Sequence, residues 1–174
     1  MFVEVPPSTL TFGFVNDPVG THGSRTLMLD ELRLLLKSCP ADADYQQYRH
    51  AIIDDNILLK RTLNTRKESV RRLRELYALD RKLLVFRALR DLWDANTDAQ
   101  PMVALLCAVA RDAILRATAD FILSLPAGEK VTPQMIEKAT AESFPGRYNS
   151  TTLANVGRHA ASSWQQSGHL VGRF

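Results

Sequence analysis

The sequence predicts an all-α fold, on three observations. Apolar residues recur at three- and four-residue spacing through most of the chain. Pro and Gly fall between those periodic runs and separate them. At 174 residues with 45% hydrophobic content, the chain is long enough to bury a core without disulfides or a structural metal.

The elements follow in order. Residues 1–23 are punctuated by Pro6, Pro7, Gly13, Pro18, Gly20 and Gly23, and Leu10, Phe12 and Phe14 alternate. This reads as an arm packing across helices. Ser24 is placed to cap a first helix over 25–37, with Leu27, Leu32, Leu35 and Leu36 inward and Cys39-Pro40 as its stop. Asp42 or Asp44 caps a second helix through about residue 59, with Tyr45, Tyr48, Ile52 and Ile53 inward. Asn64 or Thr65 caps a third, whose core side is Leu63, Val70, Leu73, Leu76 and Tyr77. A fourth spans about 80–94 and turns Val85, Phe86, Leu89, Leu92 and Trp93 inward. Pro101 suits the start of the next helical region, 102–125, read as one long helix or two broken near Arg111.

The last part, 129–174, has helix-turn-helix punctuation. Thr132 caps 133–143, with Pro133 in the first turn and Ile136 and Ala139 inward. A Pro145-Gly146 turn follows, and Ser150 caps 151–166, anchored by Leu153, Val156, Ala160 and Trp164. Residues 169–174 resemble the opening of a β-wing, short or truncated. The organisation is thus an arm (1–23), a helical bundle with a basic face (24–128) and a winged-helix-like helix-turn-helix (129–174).

Charge is distributed unevenly. From Lys60 to Arg90 eleven cations stand against Glu68, Glu75 and Asp80, a net +8, whereas the whole chain is +3. Such a local excess points to a polyanion, most simply nucleic acid. Lys67, Arg71 and Arg74 form a stripe beside the apolar side of the third helix, and Glu68–Arg72 and Arg71–Glu75 are i, i+4 pairs worth about 0.2–0.5 kcal/mol each. The last helix offers the complementary feature: no Asp or Glu occurs from residue 143 to 174. Its outward Ser150, Thr151, Thr152, Asn155, Arg158 and His159 provide hydroxyls for phosphate and Asn and Arg for base edges, with Arg147 and Tyr148 just before it. Base reading therefore belongs to this helix, and the cations of 60–90 are cast as phosphate contacts.

Other classes find little support. Cys39 and Cys107 form no CxxC pair and read as structural thiols. No signal peptide is visible and the longest apolar run, near 102–110, is too short for a bilayer, so the expected location is the cytoplasm. The four His residues lack ligand spacing, so no metal or other cofactor is expected. Asp54-Asp55 is either an incomplete carboxylate site or a partner for Lys60 and Arg61 one turn on. No Ser/His/Asp arrangement, phosphate loop or Rossmann fingerprint appears, and no enzymatic activity is expected.

Residues 51–62 (AIIDDNILLKRT), then Thr65-Arg66-Lys67 and 72–76 (RLREL), resemble the hallmark block of the BrxA family of BREX bacteriophage-defence operons. The resemblance continues through Leu92-Trp93, the long apolar region, and 150–155 to 164–170. It implies a compact helical protein with helix-turn-helix character that binds double-stranded DNA alongside other BREX proteins. Lys60 and Arg61 fall within the matching block and join the candidate phosphate contacts. The chain departs from the family pattern mainly at its end. The alternative function is a protein adaptor whose basic face docks an acidic partner of the same defence complex.

Overall fold

A computed structural model describes residues 4–172. Among them the chain is all-helical: α1 (Pro7–Leu10), α2 (Leu29–Ser38), α3 (Tyr45–Ile53), α4 (Leu63–Tyr77), α5 (Leu84–Trp93), α6 (Gln100–Arg111), α7 (Ala113–Ser124), α8 (Pro133–Ser143) and α9 (Ser150–Gln166), with 3-10 turns at Thr21–Gly23 and Thr97–Ala99. No helix among the described residues is long and apolar enough to cross a membrane.

One hydrophobic cluster runs from α2 to α9. Leu32, Leu35, Tyr48, Ile52, Leu73, Leu76, Phe86, Leu115, Ile136, Ala160 and Trp164 all belong to it. Trp93 and Trp164 are buried anchors, and Trp164 Nε1 donates to Thr118 Oγ1 at 2.8 Å. Cys39 and Cys107 are buried free thiols; burial pushes the Cys107 thiol up to about 12.

Helix starts and stops differ from the sequence expectations where tertiary contacts take over the backbone. The first helix begins at Leu29, behind Met28 in the left-handed region (φ 51°), and Ser24 closes the Thr21–Gly23 turn instead of capping this helix. Leu27 instead lies in non-helical chain: its N–H donates to Ser163 Oγ (3.0 Å) and its carbonyl accepts from the Tyr77 hydroxyl (2.5 Å). The second helix ends at Ile53, not 59. Asn56 and Leu59 are left-handed, and Asn56 closes the turn by accepting from Lys60 N. Thr62 caps α4 in place of Asn64 or Thr65, and Asn149 caps α9 in place of Ser150. The fourth helix starts at Leu84, and Leu92 points outward at 55% exposure. Leu63 likewise faces out. The 102–125 region is two helices. The break is at Asp112, whose carboxylate accepts from Ile114 N and Leu115 N.

Residues 12–15 contact α5, α6 and α7. Val15 N donates to Ala110 O, Val85 N to Phe12 O, and the Arg111 and Arg116 guanidinium groups reach Gly13 O and Val15 O. At the other end, among the described residues no strand forms after α9. His169 N and Leu170 N fold back to Trp164 O, and the His169 ring meets Trp164 edge-on. Arg173 and Phe174 of the expected wing lie outside the described residues.

α8 and α9 are joined by the turn around Pro145-Gly146, with Phe144 and Tyr148 edge-to-face. They approach closely at Gly157, where a Cβ would lie 2.4 Å from Pro133 O and 3.2 Å from the Glu137 side chain. Backbone on one side leaves no room to yield. Gly157→Ala should therefore destabilise the protein by about 1–3 kcal/mol despite the better helix propensity of Ala. Urea unfolding measures this; an unchanged or higher midpoint would show that the helices separate freely.

Candidate nucleic-acid interface

Many cations of the basic stretch are engaged within the protein. Lys60 Nζ is 3.0 Å from Glu31. Arg66 donates to Ile53 O (2.9 Å) and Lys60 O, bracing the α3–α4 turn. Arg71 bridges Glu68 (2.8 Å) and Glu75 (2.7 Å), and Arg72 reaches the same two carboxylates. The Arg71 hydrogen bond holds the Glu68 carboxyl below its usual range. Arg81 takes Ala41 O and Asp91. Arg90 is buried and donates to Leu36 O and Cys39 O at the end of α2. Asp54 and Asp55 flank His50 (2.9 and 3.5 Å) and do not pair with Lys60 or Arg61.

Among the described residues, Arg61, Lys67, Lys82 and Arg87 make no ion pair and are exposed. Arg74 lies over the Tyr45 ring, 4.2 Å from its centroid. This stacking leaves its in-plane N–H groups outward. Lys67, Arg71 and Arg74 face Tyr45 and Arg49 of α3 across a groove of about 490 Å³, with Arg111 at one side. Arg49 and Arg111 lie outside the 67–74 stripe, and only the fold brings them to it.

On α9, Ser150, Thr151 and Arg158 are exposed, and Asn155 is half-buried and accepts from Arg158. Arg147 is exposed just before the helix. Tyr148 is committed elsewhere: its hydroxyl donates to Pro18 O in the arm and its ring is half-buried. Burial pushes its phenol up. His159 donates from Nδ1 to His22 O, and burial pulls its imidazole down. A second groove, about 940 Å³, runs between α9 and the α7–α8 connection, where Lys130, Gln134, Glu137, Arg158, Ser162 and Gln165 meet. Among the described residues no group of His, Cys, Asp or Glu is arranged to hold a metal ion.

The two surfaces are tied together by the Thr21–Gly23 turn. Thr21 Oγ1 donates to Glu75 of α4 at 2.7 Å. His22 Nδ1 is 2.8 Å from Asp112 Oδ2, and its Nε2 is 2.9 Å from Ser163 Oγ of α9. The sequence shows no Ser/His/Asp arrangement, yet the fold assembles one, from residues 90 and 141 positions apart. All three are sealed from solvent (His22 0%, Asp112 2%, Ser163 0%). Ser163 Oγ also donates to His159 O and accepts from Leu27 N, so it is not free to attack a substrate. With Ser163 donating to that carbonyl, its oxygen is left to accept from Leu27 N and to face His22 Nε2.

Burial alone would push the Asp112 carboxyl up. His22, its hydrogen bond, and the Leu115 and His22 N–H groups outweigh this and hold it below the usual range. A depressed carboxyl pKa means stability present above the unfolded value and lost as pH falls through the folded one. Asp112→Asn should therefore cost about 3–5 kcal/mol near neutrality, and the gap from the parent should narrow in acid. Thermal midpoints across that pH range test this; a pH-independent gap would deny the lowered Asp112 carboxyl. No family model matches the chain, and no curated protein or solved structure matches it either.

Proposed function

We propose that the protein is a non-enzymatic, cytoplasmic, double-stranded-DNA-binding component of a BREX-type bacteriophage-defence system. The observation that carries the DNA-binding part is the acid-free, outward face of α9, rooted in the core by Val156, Ala160 and Trp164. In this reading α8 and α9 act as a helix-turn-helix, and α9 enters the major groove with Ser150, Thr151, Asn155 and Arg158. Arg147 and the unpaired Arg61, Lys67 and Arg74 neutralise phosphates. Arg71 joins them by exchanging carboxylate for phosphate. Lys60 and Tyr148 act indirectly, by bracing the α3–α4 turn and the arm. The defence context rests on the resemblance of residues 51–76 to the BrxA block.

The adaptor reading is favoured by one observation. Leu59 is 85% exposed beside Lys60 and Arg61, an apolar tip flanked by cations, as protein contacts often are. An adaptor would leave bare duplex unshifted at moderate salt and co-purify with a protein partner.

A mobility-shift salt series decides between them. Duplex affinity should fall linearly with salt on log–log axes, and Lys67→Ala/Arg74→Ala should reduce the slope by about 1.8, at roughly 0.9 per phosphate contact. Asn155→Ala and Arg158→Ala should each cost about 1–3 kcal/mol on a preferred site and less on random duplex. Affinity unchanged in all of these variants would remove both surfaces from the footprint.

A further inference from the structure

The α3–α4 groove has a chemistry of its own. Its walls are two helical stripes, Tyr45, Arg49 and Ile53 on α3 and Lys67, Val70, Arg71 and Arg74 on α4, and Arg111 closes it from the end of α6. Five cations thus line one concave volume, against the single acid Glu75. Glu75 is already engaged by Arg71, Arg72 and Thr21. Adding Glu68 and Arg72, which complete that network, still leaves six cations against two acids, a net +4.

The cations are not equivalent. Arg111 is pinned by the carbonyls of Glu75, Gly13 and Arg74, which orient its guanidinium without cancelling its charge. Burial lowers its pKa, the Cys107 thiol opposes this, and neighbouring Arg74 lowers it further, a sign of like charges crowded together. Arg74 is fixed on the Tyr45 ring. Arg49 and Lys67 are exposed on opposite walls and, among the described residues, make no ion pair. The result is a pre-oriented floor with two free cations at its mouth. Converging cations of this kind recognise anions with several closely spaced oxygens. The groove holds about 490 Å³, far more than one phosphate group needs.

We propose that this groove binds a compact polyphosphate, either inorganic or the phosphate tail of a nucleoside triphosphate, with Arg49 and Lys67 closing on it from the two walls. Neither the duplex reading nor the α9 face is required for this. Arg71 would shift from its carboxylates toward the phosphates, and occupancy would relieve the repulsion among the five cations and raise thermal stability.

The test is calorimetric titration of the full chain with sodium tripolyphosphate, then with ATP, at constant ionic strength, beside duplex binding by the same protein. Saturable one-site binding of tripolyphosphate and a higher thermal midpoint are expected. Arg49→Ala/Lys67→Ala should weaken that binding by about tenfold or more, since two charge-assisted contacts are lost. Neither side chain has an internal partner, so the ligand-free midpoint should be unchanged. Binding of ATP no tighter than tripolyphosphate supports the phosphates alone as the ligand, and tighter binding adds the nucleoside to them. Absence of saturable tripolyphosphate binding overturns the proposal, as does binding that the double variant leaves intact. If only duplex binding responds to the variant, the groove is a stretch of nucleic-acid footprint and the polyphosphate site is withdrawn. If tripolyphosphate binds and duplex does not, the site stands and the duplex reading falls.

Discussion

The buried His22–Asp112 contact is the interaction on which the rest of the arrangement depends. Asp112 breaks what would otherwise be one helix through α6 and α7, because its side chain satisfies the first N–H groups of α7 and its φ and ψ are extended. The same carboxylate accepts from the backbone and the ring of His22. A carboxylate this buried is tolerable only with every lone pair occupied. The approach is so close that a Cβ on Gly20 would lie 2.1 Å from Asp112 Oδ1, so only glycine serves there. Through His22 the contact passes to Ser163, and α9 is thereby fixed against the arm and the α6–α7 break.

That fixation matters for function because a helix that reads a groove must be held rigidly from behind. The buried side of α9 meets this need with Val156, Ala160, Ala161, Ser163 and Trp164. The capping of α9 by Asn149 places Ser150 and Thr151 inside the first turn, with their hydroxyls free of the capping bond. A cap one residue later would have used the Ser150 hydroxyl internally. The Ser150 hydroxyl that the DNA reading invokes is therefore available, which the expected cap would not have allowed.

Helix interiors were readable from the sequence; some of their ends were too, such as the Asp44 and Thr132 caps and the 133–143 bounds, but others were not. Leu73, Leu76, Phe86, Ile136 and Trp164 are buried as their spacing predicts, because periodicity reports directly on which face meets the core. The ends that escaped lie beside Met28, Asn56, Leu59, Ala78 and Leu79, which adopt left-handed backbone without being glycine. Each costs about 1–2 kcal/mol, borne only because the neighbouring tertiary contacts hold it. Local propensity cannot signal such positions. The same limit hid the His22–Asp112–Ser163 network, whose members share no local pattern, and the role of Gly157, which is meaningful only once Pro133 O lies beside it.

The basic stretch shows why a charge count along the chain overstates a binding surface. Its net +8 counts charges, but many of those cations are engaged within the fold. Arg66, Arg81 and Arg90 hold loop and helix-end carbonyls, Arg71 and Arg72 share Glu68 and Glu75, and Lys60 pairs with Glu31 from another helix. A guanidinium satisfied by carbonyl oxygens keeps its charge and contributes to the field, whereas one paired with a carboxylate contributes little beyond a few ångströms. The effective potential is therefore concentrated where carbonyl-bound and unpaired cations coincide. That place is the α3–α4 groove, where Arg111 is carbonyl-bound, Arg49 and Lys67 are unpaired and Arg74 is stacked, and not the length of the +8 stretch.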